Sequence, residues 1–381
     1  MKQVLAKIAK IMKLMKFRTV RIVLIFSFFT FLGTISNNIW AQEKNYRDYH
    51  NLINKAEECC FIKNNVDSCF YYFIKAFSSY DFVFAKDCIE AAQIALNNNR
   101  ENLLFDFLKK AFQNGFKLSN LYDITNNEGF TASFYRIDTT SNFYNRLLKM
   151  YPEARKHFIK RINFGVLNII TRIAAIDRAY KSNPYDYFTF SIFEKNFKSI
   201  DSLLKLDLFP SEKIVGIDQE NIFKEMGIPF HDLNDWYDIL KNLSGVKTYK
   251  SLFNLRENEI SSMLVYAPLY HYDSTYTAIK MSIPHLIESG LMHPREIASL
   301  HDKYVIMFVM KAFEKGKMES FPIVSSAGSN ILFFDQSKEN RKNVNALRRT
   351  YNIASVETDS AKKAYEKRTG AVFYTSYKMH R

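Results

Sequence analysis

Apolar residues in this chain recur at helical rather than strand spacing. Phe70 and Phe73, then Phe105 and Leu108, stand three apart on what reads as the inner face of a helix. Small residues (Ala56, Ala76, Ala91, Ala92, Ala95, Ala111) fall where antiparallel helices need close backbone approach, and polar runs at Asn64-Asn65 and Asn97-Asn98-Asn99 read as the turns between them. The pattern repeats. Lys75-Ala76-Phe77 returns as Lys110-Ala111-Phe112, a displacement of 35 residues that also carries Ala56 onto Ala91, Asn64 onto Asn99 and Phe70 onto Phe105. Each unit is expected to be two helices around a polar turn, and Gly115 to end the second unit.

Helices are expected to continue beyond residue 140. Pro152 is placed in a first turn, opening a helix from Glu153 to about Lys181 that Asn183-Pro184 stops; its apolar stripe is Ile162, Val166, Ile169, Ile170, Ile173 and Ile176. The segment Phe209 to Gly216 breaks the periodicity, and Asp218 is a good N-cap for a short helix ending at Gly227. Pro294 opens a further helix, and two more are expected from Arg341 to Tyr351 and from Asp359 to Lys367. Only 11 Gly and 8 Pro in 381 residues agree with this, since β-rich chains consume both in turns. The expected fold class is all-α: helical hairpins followed by a larger, irregular helical domain.

Residues 43–125 resemble the tetratricopeptide repeat. The second helix of each unit carries that family's small–aromatic–small spacing as Cys69, Phe73, Ala76 and as Leu104, Leu108, Ala111. Leu104 is large where Ala is usual, and the signature Trp, Gly and final Pro are missing. The resemblance implies binding of a protein or peptide in a groove and names no ligand. The rest of the chain loosely resembles uncharacterised helical domains of exported Gram-negative bacterial proteins, on Ile176-Asp177-Arg178, the Phe209-Pro-Ser-Glu loop, His271-Tyr272 and Ala298-Ser-Leu-His301-Asp302. That resemblance implies architecture and no activity.

The first 41 residues change the picture of charge and location. Seven cations up to Arg21 precede an uncharged run from Ile22 to Trp40, whose apolar core, Ile22 to Leu32, is shorter than the roughly 20 residues a membrane anchor needs. With Ala41 before Gln42 and Glu43, this reads as a signal peptide cleaved near Ala41, which makes the protein periplasmic or secreted. An uncleaved leader is the alternative, and the one membrane contact expected. The leader holds seven of the fourteen net positive charges. The remaining excess has no dense Lys/Arg tract, so nucleic acid is not an expected partner. The expected domains are 1–41, the hairpins at 42–125, and a helical domain at 126–381.

Candidate chemistry is sparse. Cys59, Cys60, Cys69 and Cys88 cluster in the hairpins, and export makes pairing feasible. Cys60 and Cys69 stand equally far from the Asn64-Asn65 turn and are the disulfide candidate, with free buried thiols as the alternative. His271, His301, Asp302 and Asp177 are the candidate catalytic residues of a hydrolase-like or metal-dependent enzyme, because His is the natural acid/base near neutrality and the commonest metal ligand. The spacing argues against them: His285, His293 and His301 stand eight apart across Gly290 and Pro294, where metal helices present ligands three or four apart. No cofactor or metal motif is found. The reading is an exported helical protein that binds a protein or peptide partner.

Overall fold

The computed structural model describes residues 44–121, 134, 136–170, 173, 187–217, 222–226, 279–298, 300–301, 338–371 and 373. All but Lys44 belong to one compact unit, Asn45–Arg381. Among the described residues the fold is all-α, with helical hairpins and no strand.

The first hairpin pairs α1 (Tyr46–Phe61) with α2 (Val66–Ser79), and the second pairs α3 (Ala85–Asn97) with α4 (Glu101–Gln113). Asn45 caps α1, accepting from the Arg47 amide, and Asn65 caps α2, accepting from the Ser68 amide. The repeated asparagines have a backbone reason. Asn64 and Asn99 both adopt positive φ, 51° and 55°, a region that Asn tolerates better than other side chains with a Cβ. Asn99 ends α3 in a Schellman turn, with the Arg100 amide bonded to the Ala95 carbonyl and the Asn99 amide to Leu96. Gly115 (φ 105°) ends α4 in the same way, as expected. The alanines placed at the helix contacts (Ala56, Ala76, Ala91, Ala92, Ala95, Ala111) are fully buried, and Phe107 joins the hairpins through tilted ring contacts with Phe70 and Phe73 and an edge contact with Phe77.

The next helix departs from expectation. It runs as α5 (Asn142–Arg161), with Ser141 capping the Tyr144 amide and Pro152 in its interior rather than its first turn. Interior proline costs roughly 3 kcal/mol through its missing donor and ring clash. Phe143, Leu147, Ala154 and Phe158, buried on both sides of it, show that packing along one face outweighs that cost. The expected continuous helix then breaks at Ile162–Asn163, where the Asn163 amide donates to Ile214 and its side chain accepts from the Val166 amide. Residues 164–170 resume the helix with Val166, Leu167 and Ile170 buried; Ile176, Asp177 and Asn183-Pro184 lie outside the described residues.

The rest comprises α6 (Tyr187–Lys205), α7 (Glu212–Val215), α8 (Ile222–Glu225), α9 (Ile283–Glu288), α10 (Lys338–Thr350) and α11 (Val356–Thr369), with 294–298 also helical. The Phe209–Gly216 segment contains the short α7 and turns at Gly216 (φ 74°), whose missing Cβ leaves room for the Phe158 ring; Gly115 touches the same ring. Helices α9 and α11 pack against α1. Arg47 of α1 bonds Glu288 and Asn352, the Asn54 side chain donates to the Asn352 carbonyl, and Phe61 packs on Tyr365 and Phe373. This face of the first hairpin is thus covered by the chain's own C-terminal part.

All four cysteines are buried free thiols, and Cys60 hydrogen-bonds Cys69 across the first hairpin, which pushes the Cys69 thiol up with burial acting in the same direction. Mild oxidation of the folded chain is expected to join Cys60 to Cys69 and no other pair. Peptide mapping without reduction checks this, and a Cys69 that stays alkylatable after oxidation sinks it.

Candidate functional site

Helix α1 buries Tyr46, Tyr49, Ile53, Ala56 and Cys60 on one stripe, and His50 and Glu57 lie in the same helical phase. Helix α3 is buried all round from Ala85 to Ala95, so Lys86, Asp87 and Glu90 are carried inside with the alanines. Opposite them stand Glu212 at the start of α7, His293, Arg295 and Glu296 around Pro294, Arg348 of α10, and Asp359 and Lys362 of α11, all buried. An isolated charge in such an environment is costly, and the geometry answers by pairing.

One lobe centres on Glu57. Its carboxylate accepts from Lys362 Nζ at 2.8 Å and from Arg295 Nη2 at 3.0 Å. Lys362 also donates to Glu90. Arg295 forms a fork onto Asp359, at 2.8 and 3.0 Å, and Arg348 bonds the same carboxylate. Burial pushes Asp359 up, but Arg295 and Arg348 outweigh it and hold the carboxyl well below the usual range. Burial works against the charged forms of Lys362 and Arg295 too; Glu57 with Glu90, and Asp359 with Glu57, hold them protonated. Burial pushes Glu90 well up despite Lys362.

The second lobe centres on Lys86, which bonds Glu296 and lies 4.0 Å from Glu212. Glu212 also accepts from the Ala85 amide at the start of α3, a favoured place for an acid. Beside it, Asp87 accepts from Tyr49 Oη at 2.8 Å and faces His293 Nε2 at 3.3 Å. His50 stands edge-on to His293, with ring centroids 5.3 Å apart. Burial pushes both histidines well down, so they are neutral near pH 7, and it pushes Asp87 up. His50, Asp87 and His293 each offer a ligand atom within 4.8 Å of the other two, a grouping that could hold a metal ion.

Of the histidines considered from sequence, His293 is the one that lies in this cluster among the described residues. His285 is exposed and pairs with Asp207 at 2.6 Å. His301 is half-buried, its ring 5.9 Å from that of Tyr351. His271, Asp302 and Asp177 lie outside the described residues. Sequence reasoning passed over His50, Lys86, Asp87 and Glu57. The usable signal was the phase of His50 and Glu57, which fall inside the apolar stripe of α1 rather than opposite it; α3 is buried all round and offers no such phase for Lys86 and Asp87. A surface cleft of about 700 Å³ between Pro152, Ile159, Phe164 and Met226, and a polar one at the Asn64 and Asn99 turns, include none of the cluster.

Comparison with protein-family models, with curated proteins and with solved structures finds no match to this chain.

Two measurements probe the cluster. Lys362→Met leaves Glu57 and Glu90 without their shared cation, and should cost about 3–5 kcal/mol in urea unfolding at pH 7. Adding Glu90→Gln should recover part of that; a loss below about 0.5 kcal/mol would show that Lys362 is not what holds these acids inside. Glu212 reports on pH. It is faced by Lys86 and Asp87 from α3, Glu296 from 294–298 and Arg161 from α5, and burial pushes its carboxyl up to about 8 from the ordinary 4.5. Between those values the folded chain keeps a proton that the unfolded chain has released, so this contribution to stability falls as pH rises. Glu212→Gln, which mimics the protonated form, should therefore gain on the wild type from pH 5 to 8, by up to about 1.4 kcal/mol per pH unit. A difference that does not change with pH would refute the assignment.

Proposed function

We propose that this is an exported helical interaction protein, with tetratricopeptide-like hairpins at its front, that binds a protein or peptide partner. The leader's order of basic, apolar and small residues supports export to the periplasm or beyond, and the 35-residue repeat supports the kinship of the hairpins. Among the described residues no helix is long and apolar enough to cross a membrane.

The observation that carries the reading is the outward face of α2. Tyr71 and Ile74, three apart on one face, are 58% and 44% exposed, and Lys75 lies over the Tyr71 ring at 6.0 Å. An amphipathic aromatic ring beside an aliphatic side chain is a good anchor for a partner. Because α9 and α11 cover part of α1, the partner is assigned to the α2 side of the first hairpin. Lys75 next to the anchors favours a segment with apolar side chains flanked by acids.

A photo-crosslinking residue at position 71 or 74, introduced into the full chain in cells that export it, should give the same discrete adduct at both. The same probe at the exposed Glu153 of α5 should give none, and Ile74→Glu should abolish capture at 71. Equal labelling from all three positions, or none from 71 and 74 in folded, exported protein, would overturn the reading.

A further inference from the structure

We propose that His50, Asp87 and His293 bind one divalent transition-metal cation of the zinc class, taken up as the chain folds, which fastens the 293–298 segment to α1 and α3. The site is independent of the interaction face on α2 and adds a ligand that the partner-binding reading does not require.

Two imidazoles and one carboxylate are a borderline donor set that suits zinc and its neighbours, and three protein donors leave a fourth position for water. Donors on a tetrahedral ion at about 2.0–2.1 Å stand about 3.3 Å from one another. His293 Nε2 and Asp87 Oδ1 are already 3.3 Å apart, and all three ligand atoms lie within 4.8 Å of one another. Closing His50 onto the other two takes roughly 1.5 Å at most, within reach of a small side-chain rotation.

Three further observations point the same way. The first is His50 itself: its Nε2 is buried without a hydrogen-bond partner, a state that costs about 1–3 kcal/mol and that a cation would relieve. The second is the support behind the ligands. Tyr49 Oη holds the other oxygen of Asp87 at 2.8 Å, the kind of outer contact that orients a ligating carboxylate. The third is charge. The cluster buries six carboxylates (Glu57, Asp87, Glu90, Glu212, Glu296, Asp359) against four cationic side chains (Lys86, Arg295, Arg348, Lys362), with Arg161 also facing Glu212, so acids remain in excess and a cation reduces that excess.

The protons must balance. The Arg295 amide donates to His293 Nδ1 at 3.2 Å, which leaves the ring proton on Nε2, facing Asp87. Coordination through Nε2 moves that proton to Nδ1 and releases the 3.2 Å contact, so the imidazole stays neutral.

The test uses the full mature chain, purified in chelator, dialysed, and titrated with zinc chloride or with cobalt chloride as a spectroscopic probe. One equivalent per chain should bind, the melting temperature should rise, and cobalt should give the visible bands of a four-coordinate site. His50→Leu puts an aliphatic side chain against Phe84 and Tyr49 and removes one donor; it should keep its helix content and cooperative unfolding while losing the zinc-dependent shift and at least 100-fold in affinity. If zinc acts equally on wild type and variant, the ion sits elsewhere and the proposal fails. If the wild type ignores zinc, His50 is a core histidine and the proposal fails as well. Should His50→Leu not fold, Asp87→Asn, which keeps an oxygen for Tyr49, must show the same loss.

Discussion

Charges carried into the interior constrain this structure more than any other feature. Glu57, Glu90, Arg295, Asp359 and Lys362 come from α1, α3, the segment after Pro294 and α11, and each is hydrogen-bonded to a charge on a different element. Leaving any one unpaired would cost several kcal/mol, a large part of the stability of an ordinary domain. The C-terminal helices therefore have to lie on the front hairpins for the hairpins' own polar residues to be satisfied. An apolar interface would tolerate sliding, whereas forks such as Arg295 on Asp359 set the register.

The same constraint bears on how the repeats are used. Hairpins of this kind are read as receptors when the face of their first helices is open. Here α9 and α11 lie against α1, and His50 and Glu57 on that helix are committed to the chain's own interior. The other side of the hairpin stays exposed, where α2 turns Tyr71 and Ile74 outward, and the proposed partner is assigned there. The metal site we infer belongs to the inner side, where it would reinforce a junction already made of ion pairs.

Much of the fold was legible in the chain. Asn64 and Asn99, Gly115, and the alanines at the helix contacts are each required by local geometry, namely a left-handed backbone position or a close approach, and local requirements leave local marks. Pro152 misled because a helix boundary was inferred from one residue's preference, when the buried face on both sides of it carries the helix through. The cluster was the harder part. His50, Glu57, Lys86 and Asp87 are ordinary polar residues in sequence, and their partners lie up to 305 positions away, as Lys362 does from Glu57.

The amino-acid sequence by itself determined the helical class, the 35-residue repeat and the turns that close each hairpin, because these depend on periodicity and on backbone preferences within a few residues. It also holds the basic–apolar–small leader on which the proposal of export rests. Tertiary structure alone decided which polar residues are inside, which of the histidines considered meets Asp87, and which face of the first hairpin stays open. Burial and pairing are properties of surfaces brought together from distant parts of the chain, and no local pattern encodes which surfaces meet.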